Sequence, residues 1–507
     1  MRGRLIRNYK TSALLLGIFS VAALPPYYLF PVLIITFSTF ILLLNSLSSS
    51  KQAFAAGYWF GFGWFSLGFS WIGNALLIDA ASFGWLYPLV IIGSGGFFGL
   101  FAAFPAMFAF RLKGLPARLL GFAALWVFFE WLRSFVLTGF PWNLLGSVLA
   151  FSPLTLQFAA VAGTYGLSLL VLLMAMAPAL WLNAPSKKNL SISLTLFLGV
   201  GIFIAAFGWL RLAGNEDPTL SDITLRIVQP GIPQTMKWSR ESLESNLREY
   251  IRLSQTPSSS KINFVVWGET ASPFPLDIDE EHRRAVSKAV PAGGYLITGS
   301  LRYHFDRYGE PSPLNSLLII GENGQIAASY DKSHLVPFGE YIPFRRLLPA
   351  SIRPITNAIR DFIPGNGPES IKLPGYPELG AVICYEIIFP TQIINAANRP
   401  DWIVNVTNDG WYGNSAGPYQ HLAAARLRAV EEGITVVRAA NTGISAVIAP
   451  NGTVINSLGL DAKGVLDARL PEKLKFDTLY GKFGNTVPFI LCFLDIILAV
   501  FLSRHKR

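Results

Sequence analysis

Charged residues are almost absent from the first two hundred positions of this 507-residue chain. Positions 11–210 contain nine Asp, Glu, Lys or Arg residues in total. A soluble fold of that length needs a charged surface, whereas about 20 consecutive apolar residues suffice to cross the hydrocarbon core of a bilayer. The whole chain is 52% apolar and 14% charged, against about 25% charged residues in a typical soluble domain. This distribution predicts a membrane protein.

Eight segments are long and apolar enough to be membrane spans: 11–24, 29–47, 54–77, 85–110, 118–137, 154–183, 191–210 and 485–502. We therefore predict about eight transmembrane helices. Seven form a stem over residues 1–214, a domain of soluble composition follows over 215–484, and residues 485–507 form a last helix and a basic tail. The first segment is short and follows four basic residues, so it could be a signal peptide, but its removal would not change the orientation of the others.

Lysine and arginine residues fall on one side of these segments. The N-terminal tail and the second, fourth and sixth loops contain them, whereas the loops near 25–28, 78–84 and 138–153 contain none. Because basic loops stay in the cytoplasm, both termini are predicted to be cytoplasmic and domain 215–484 to be exported. The net charge of +10 is partly this topology signal. No basic stripe is interleaved with aromatic residues, so we expect no nucleic-acid partner.

The exported domain has the pattern of an α/β fold. Its strand candidates are residues 224–229, 262–267, 294–299, 315–320, 325–330, 380–384, 402–407, 434–439 and 444–449. Its helix candidates are residues 239–254, 279–290, 391–398 and 419–432. Short strands mixed with helices predict a sheet covered by helices, with functional loops at the strand ends.

Three reactive side chains stand at the ends of predicted strands: Glu269, Lys332 and Cys384. Singly they have plain explanations, because a strand-end charge is usually solvated and an isolated cysteine is usually a small buried hydrophobe. The other cysteine, Cys492, lies in the last apolar segment, so we expect no intramolecular disulfide.

Together the three residues suit nucleophilic catalysis. An ammonium lowers the pKa of a nearby thiol, and Lys332 would also stabilise the oxyanion formed when the thiolate attacks an ester. Glu269 would accept and return the proton. The backbone N–H of Tyr385 would be a second oxyanion donor.

Longer motifs surround these residues: QPGIPQ at 229–234, KW at 237–238, WGET at 267–270, DKSHLVPFGE at 331–340, ICYE at 383–386, NDGWYG at 408–413, QH at 420–421, RAANTG at 438–443, and TGFPW at 138–142 in the stem. With them the chain resembles the carbon–nitrogen hydrolase (nitrilase) superfamily, whose fold is an α-β-β-α sandwich. It is closer still to the bacterial apolipoprotein N-acyltransferase family. One departure is Gly268, where the family usually has proline, and this loosens the backbone before Glu269.

The resemblance implies an acyltransferase of the bacterial inner membrane, with its catalytic domain on the periplasmic side. Cys384 would take an acyl chain from a membrane phospholipid as a thioester. The α-amine of the S-diacylglyceryl-cysteine at the N-terminus of a lipoprotein would then accept the chain. Neither step needs a cofactor or a metal, and the sequence has no Walker, dinucleotide or zinc pattern. His334 and His421 are interpreted as structural, since their spacing suits neither a metal site nor a base.

The resemblance also implies a set of substrate-binding or supporting residues: Trp238, Glu340, Tyr385, Glu386, Asn408 and Trp411. Glu340 would be the second glutamate, which orients the substrate or the lysine, and Glu386 is close enough in sequence to tune the site. Plainer explanations are open for others. The two tryptophans could be core residues, and loop 408–413 could be a turn, since Asn, Asp and Gly are turn formers.

Two features would bring the site to lipid. Residues 341–363 are largely apolar with four arginines interspersed, so this segment could lie at a membrane surface or be a solvated loop packed on the domain. Glu130 and Arg133 lie three residues apart in the fifth apolar segment and so share a helix face. They could be a structural ion pair or contact a lipid headgroup.

Two other functions fit parts of the pattern. A membrane-tethered amidase or nitrilase would use the same three residues with water as the second nucleophile, although one span would suffice as a tether. A transporter or receptor with an exported binding domain would need the spans but no reactive thiol.

Overall fold

The computed structural model describes residues 8–214, 219–349, 353–356 and 360–505. The chain divides into two compact units, one of Met1–Asn215 with Thr478–Arg507 and the other of Glu216–Asp477. Residues 1–7, 506 and 507, whose basic side chains contribute to the predicted orientation, lie outside the described residues.

The first unit is helical. Its described residues form the α-helices Tyr9–Ser20, Pro31–Ser46, Ser50–Gly68, Asn74–Leu77, Ala80–Phe83, Tyr87–Phe98, Leu100–Phe110, Leu115–Leu132, Pro153–Leu156, Ala159–Met176, Pro178–Asn183, Lys187–Ala213, Leu479–Phe483 and Thr486–Arg504. Five helical stretches in the described part of the chain are long and apolar enough to cross a membrane: Ala80–Phe110, Leu115–Leu132, Ala159–Asn183, Lys187–Ala213 and Thr486–Arg504. The apolar helices Tyr9–Ala23 and Pro31–Ser46 are shorter. The predicted apolar helical stem is confirmed, while the number eight and the orientation remain predictions.

Small residues let the helices of this unit approach closely. A Cβ added to Gly17 would overlap the carbonyl oxygen of Phe60, and one added to Gly63 would lie 2.5 Å from that of Leu14. Helices Tyr9–Ser20 and Ser50–Gly68 therefore touch backbone to backbone. Such small-residue contacts are how apolar helices associate where lipid removes the hydrophobic driving force.

The two charged residues of the fifth apolar segment hold the loop that follows it. Glu130 Oε1 accepts hydrogen bonds from the backbone N–H of Leu145 (2.7 Å) and from Trp126 Nε1 (3.1 Å). Arg133 Nη1 donates to the carbonyl oxygens of Phe140 (2.6 Å) and Trp142 (2.7 Å). Both side chains are buried. These contacts are the kind that a structural role requires.

The second unit has twelve strands among its described residues: β1 (Leu220–Gln229), β2 (Phe264–Val266), β3 (Tyr295–Phe305), β4 (Pro311–Ile320), β5 (Ile326–Asp331), β6 (Ser370–Ile371), β7 (Leu379–Ile383), β8 (Trp402–Val406), β9 (Thr435–Ala439), β10 (Ser445–Ile448), β11 (Val454–Leu458) and β12 (Gly464–Pro471). They form two six-stranded sheets with the orders β12-β1-β2-β3-β4-β5 and β11-β10-β9-β8-β7-β6. Each sheet contains three neighbouring parallel strands, β1 to β3 and β7 to β9. The described α-helices of this unit are Gln234–Lys237, Leu243–Ser254, Glu280–Val286 and Gly417–Glu432.

Alternation along β2 shows how the layers form. Phe264 and Val266 belong to the buried cluster that joins the two sheets and includes Trp402 of β8. Val265 faces the other way and packs in a second cluster with Leu247 of helix Leu243–Ser254. Successive side chains of a strand point to opposite faces, so one sheet face meets the other sheet and the outer face meets helices. Helix Gly417–Glu432 packs on β9 and β10, which completes a helix–sheet–sheet–helix order. The predicted α/β domain is confirmed.

Some predicted elements differ from the structure. Residues 391–398 form turns instead of a helix, because the Asn395 side chain accepts hydrogen bonds from the N–H groups of Ala397 and Asn398. Asparagine favours such local bonds over the helical ladder. Strands β6, β11 and β12 and helix Gln234–Lys237 were not predicted.

Candidate active site

Strand ends bring the three reactive side chains into one buried site. Glu269 follows β2 by three residues, and Lys332 and Cys384 directly follow β5 and β7. Their residues are 6%, 1% and 4% exposed, respectively. Charged groups are rarely buried so completely unless they are paired, so their partners define what the site can do.

Lys332 lies between two glutamates. Its Nζ is 2.9 Å from Glu340 Oε1 and 3.4 Å from Glu269 Oε1. The Nδ2 group of Asn315, on β4, donates to the same two oxygens at 2.8 and 2.7 Å. The two carboxylates are therefore held by one ammonium and one amide. These contacts fix the orientation of the Glu269 carboxylate within the site.

Cys384 occupies a constrained turn. It begins the 3₁₀-helix Cys384–Ile388 directly after β7, with φ at +50°, a conformation that costs energy for any residue other than glycine. Its carbonyl oxygen lies 3.1 Å from His421 Nε2, and His421 Nδ1 lies 2.8 Å from Asp409 Oδ1. Arg438 Nη2 donates to Asp409 Oδ2 at 2.6 Å. This fully buried chain of side chains stabilises the turn behind the thiol, so His421 makes structural hydrogen bonds.

Burial determines the resting protonation of the thiol. It raises the pKa of Cys384 to about 12, the charge of Glu269 acts in the same direction, and Lys332 opposes both. Burial alone would also raise the pKa of Glu269, but the charges of Lys332 and Lys237, with hydrogen bonds from Asn315 and Cys384, bring it below its ordinary value. Burial by itself would lower the pKa of Lys332. The charges of Glu340 and Glu269 outweigh burial, so the pKa of Lys332 lies above its ordinary value. The resting site thus holds a neutral thiol beside a carboxylate that can accept its proton.

Glu386 is a buried acceptor that joins two chain segments. Its Oε2 accepts from the N–H of Ile383 (2.7 Å), while Oε1 accepts from the N–H groups of Ser333 (2.7 Å) and His334 (3.1 Å) and from the Tyr330 hydroxyl (2.8 Å). These bonds tie the end of β7, where Cys384 begins, to the segment that follows Lys332. Burial raises the pKa of Glu386, and its hydrogen bonds act against that shift.

The remaining predicted residues surround this centre less tightly. The Tyr385 ring is buried, with its centroid 5.1 Å from that of Phe389. Asn408 is buried at the end of β8 and donates to Gln234 Oε1 at 2.9 Å. Trp411 is half-buried. Trp238 is 41% exposed, so it is not a core residue.

Segment 341–363 was predicted either to lie at a membrane surface or to be a solvated loop packed on the domain, and its described residues have features of both. Phe344 and Leu347 are 61% and 82% exposed. Arg345 pairs with Asp361 and Arg360 pairs with Glu310, so two of its four arginines bind acidic groups of the same unit. Residues 350–352 and 357–359 lie outside the described residues. Contact of the segment with lipid remains a prediction.

Sequence reasoning missed two residues that touch the centre. Asn315 stands inside a strand without a local motif, and it reaches Glu269 only because β4 pairs with β5 beside Lys332. Lys237 lies in the KW motif at 237–238, but the sequence alone indicates no role for it. Its Nζ donates to the carbonyl oxygen of Glu269 (2.9 Å) and to Thr270 Oγ1 (2.8 Å). Among the described residues, no three His, Cys, Asp or Glu side chains are grouped to hold a metal ion.

Comparisons with known proteins cover both units. A family model described as carbon-nitrogen hydrolase matches residues 224–475, and one described as apolipoprotein N-acyltransferase N-terminal domain matches residues 16–177. The chain is 37% identical to the apolipoprotein N-acyltransferase of Rhodopseudomonas palustris over 97% of this chain and 95% of that protein. The corresponding protein of Rickettsia typhi is 35% identical over 94% of this chain and 95% of its own length.

Among solved structures, an amidase from Nesterenkonia sp. matches 51% of this chain and 94% of its own, with 19% identity and a TM-score of 0.38. The two family models match the helical unit and the α/β unit separately, and the relatives match both units in one chain. The protein therefore belongs to the apolipoprotein N-acyltransferase family.

Proposed function

We propose that the protein transfers a fatty acyl chain from a membrane phospholipid to the α-amine of a lipoprotein's S-diacylglyceryl-cysteine, through a thioester on Cys384. The observation that carries this proposal is the common burial of the Cys384 thiol, the Glu269 carboxylate and the Lys332 ammonium at one site, where Lys332 Nζ lies 3.4 Å from Glu269 Oε1. The names of the relatives support the acceptor. The apolar helices support a donor that resides in the bilayer.

In the first half-reaction, Glu269 takes the proton of the Cys384 thiol as sulfur attacks the carbonyl carbon of the phospholipid ester. The carbonyl oxygen becomes an oxyanion, which Lys332 and the backbone N–H of Tyr385 stabilise. The carbon–oxygen bond of the ester then breaks. Glu269 returns the proton to the departing oxygen, and a lysophospholipid leaves an acyl thioester on sulfur.

In the second half-reaction, the α-amine of the acceptor attacks the thioester carbonyl. Glu269 accepts a proton from the amine, the carbon–sulfur bond breaks, and sulfur regains a proton. The product is an amide on the lipoprotein and a free thiol on the enzyme. The same oxyanion donors serve both halves, so one site suffices.

The supporting residues have roles that follow from their positions. Glu340 holds Lys332 through the 2.9 Å contact of Lys332 Nζ with Glu340 Oε1. Glu386 positions the turn that carries Cys384 and Tyr385. Trp238, Asn408 and Trp411 contact the substrate, and the exposure of Trp238 suits contact with an acyl chain.

We further propose that eight helices cross the bacterial inner membrane, that both termini are cytoplasmic and that the α/β unit is periplasmic. The asymmetric distribution of basic loop residues supports this orientation. Residues 341–363 would then form a wall of a cleft open to the outer leaflet, which the exposed Phe344 and Leu347 support.

Intact-mass measurement of the purified full-length chain tests the proposed chemistry. After incubation with a diacyl phospholipid, we expect a mass increase of one acyl chain, which Cys384→Ala abolishes and Cys492→Ser retains. A peptide bearing S-diacylglyceryl-cysteine should then remove the chain and become N-acylated. Release as free fatty acid without transfer would indicate a hydrolase, and the absence of any adduct would contradict a thioester enzyme.

A further inference from the structure

A second buried ammonium stands at the candidate active site. Lys237 ends the helix Gln234–Lys237 and its residue is 6% exposed. Its Nζ donates to the carbonyl oxygen of Glu269 at 2.9 Å and to the Thr270 hydroxyl at 2.8 Å. A neutral donor could make the same two hydrogen bonds, so the local structure does not require a positive charge at this position. A buried ammonium carries a large desolvation cost, so its charge itself calls for an explanation.

The charges of the site explain it. Glu269 and Glu340 contribute two negative charges and Lys332 one positive charge, so these three side chains alone would be net negative. A net negative surrounding opposes formation of a thiolate on Cys384. Lys237 makes the group electrically neutral. When the Cys384 proton moves to Glu269, the site then contains two ammonium groups, both of which interact electrostatically with Cys384, and one remaining carboxylate beside the new negative charge on sulfur.

We propose that Lys237 is an electrostatic residue of the reaction, whose positive charge lowers the free energy of the Cys384 thiolate. The inference rests on the proposed function for its catalytic meaning, but the effect on the thiol itself can be measured without any lipid. The proton released by sulfur goes to Glu269, and Lys237 keeps its own protons throughout.

The surrounding groups do not supply this charge. Three other titratable side chains lie near Cys384: Asp409 and Tyr412, which interact electrostatically with the thiol, and His421, which contacts the Cys384 carbonyl oxygen. Asp409 is a carboxylate paired with Arg438, which donates to it at 2.6 Å, and its charge raises the pKa of the thiol. Burial and the charge of Arg438 lower the pKa of His421, and burial raises that of Tyr412, so both are neutral near pH 7.

The proposal predicts a pH dependence with a definite sign. Burial lowers the pKa of Lys237 to about 8, against the opposing influence of Glu269 and Cys384. The ammonium is therefore present below about pH 8 and is lost above it. Its assistance to the thiolate should disappear over the same range.

The test is the rate of Cys384 alkylation by iodoacetamide in the full-length chain, followed by mass spectrometry in a Cys492→Ser background without phospholipid. At about pH 7 we expect Lys237→Met to react about tenfold more slowly than its parent, since one neighbouring opposite charge shifts a pKa by about 1 unit or more. Above about pH 9 the two rates should converge. Lys237→Arg, which keeps its charge at every pH, should retain the faster rate in both ranges.

Thr270→Val is the matched control, because it removes one hydrogen bond of Lys237 and leaves the charge. It should follow the parent at each pH. Three outcomes would overturn the electrostatic role. They are a tenfold loss of the alkylation rate in Thr270→Val, equal alkylation rates of Lys237→Met and its parent at about pH 7, or a ratio of those two rates that does not change with pH. Thermal unfolding verifies that each variant folds, and Lys237→Gln replaces the methionine variant if that one does not. Failure of phospholipid acylation with a normal alkylation profile would instead contradict the proposed function.

Discussion

At the scale of single residues, Lys332 pairs with two carboxylates and is also the proposed oxyanion donor. It is 1% exposed and bound between Glu340 and Glu269, so its position is fixed before any substrate arrives. Such preorganised donors are effective because they need no reorientation when charge develops. Lys332 is the counter-charge of both carboxylates, and in the proposed mechanism it also serves as an oxyanion donor.

We expect Lys332→Met to lower the rate of phospholipid acylation by at least about 100-fold, since removal of one oxyanion donor typically costs about 100- to 1000-fold. The measurement is the initial rate of thioester formation on Cys384. Lys463→Met is the control, because Lys463 pairs on the surface with Glu249 and its side chain is 56% exposed. A near-normal rate in the Lys332 variant would assign this residue a structural role and reject the three-residue site.

At the scale of elements, Glu386 joins the end of β7 to the segment that follows β5 through its hydrogen bonds. Replacement by alanine leaves the buried N–H group of Ile383 without an acceptor, at a cost of about 1–3 kcal/mol, and also removes the acceptor of the part-buried N–H of Ser333. We therefore expect Glu386→Ala to lower the thermal unfolding midpoint of the α/β unit and to reduce acylation. Glu241→Ala, at an exposed position, should change neither. An unchanged midpoint with lost activity would mean that Glu386 acts on the substrate instead.

The exposed segment after Lys332 offers a second element-scale prediction. Replacing Phe344, Leu347 and Leu348 together by serine removes apolar surface that we propose to meet lipid, while the ion pair of Arg345 with Asp361 remains. Acylation by phospholipid in vesicles should fall more than alkylation of Cys384 by iodoacetamide. Equal losses in the two assays would show that the segment supports the fold.

Some strands are easier to predict from the sequence than others. Fully buried strands such as β7 and β8, which are mostly apolar, were predicted within a residue or two. Strand β11 was missed because its side chains are mostly exposed and so leave no apolar pattern. Asn315 and its bonds to both glutamates follow from the pairing of β4 with β5, a relation between strands that no local motif contains.

At the scale of the whole molecule, the uneven distribution of charge predicted the helical stem, and the contacts divide the chain into a helical unit and an α/β unit. Hydropathy identifies apolar segments but does not decide which cross completely. Helix Tyr9–Ser20, for example, has 12 residues, against about 20 needed for a span. The orientation rests on basic loop residues and stays a prediction.

Cysteine labelling of intact inner-membrane vesicles tests that orientation. In a Cys492→Ser background, Phe476→Cys, at a position 83% exposed in the α/β unit, should react with a membrane-impermeant maleimide only from the periplasmic side. Lys113→Cys, in a basic loop, should react only from the cytoplasmic side. Labelling of both from one side would reject the proposed topology.

The neutral resting state of Cys384 has a consequence for the lifetime of the enzyme. Peroxides and disulfides attack thiolates, and they attack exposed ones fastest. A buried thiol with a pKa of about 12 presents almost no thiolate to such oxidants, and in the proposed mechanism it becomes nucleophilic only while an ester lies against it and Glu269 removes its proton. In the periplasmic orientation proposed above, where oxidation is favoured, the burial that makes the proposed nucleophile depend on a neighbouring base would also protect it.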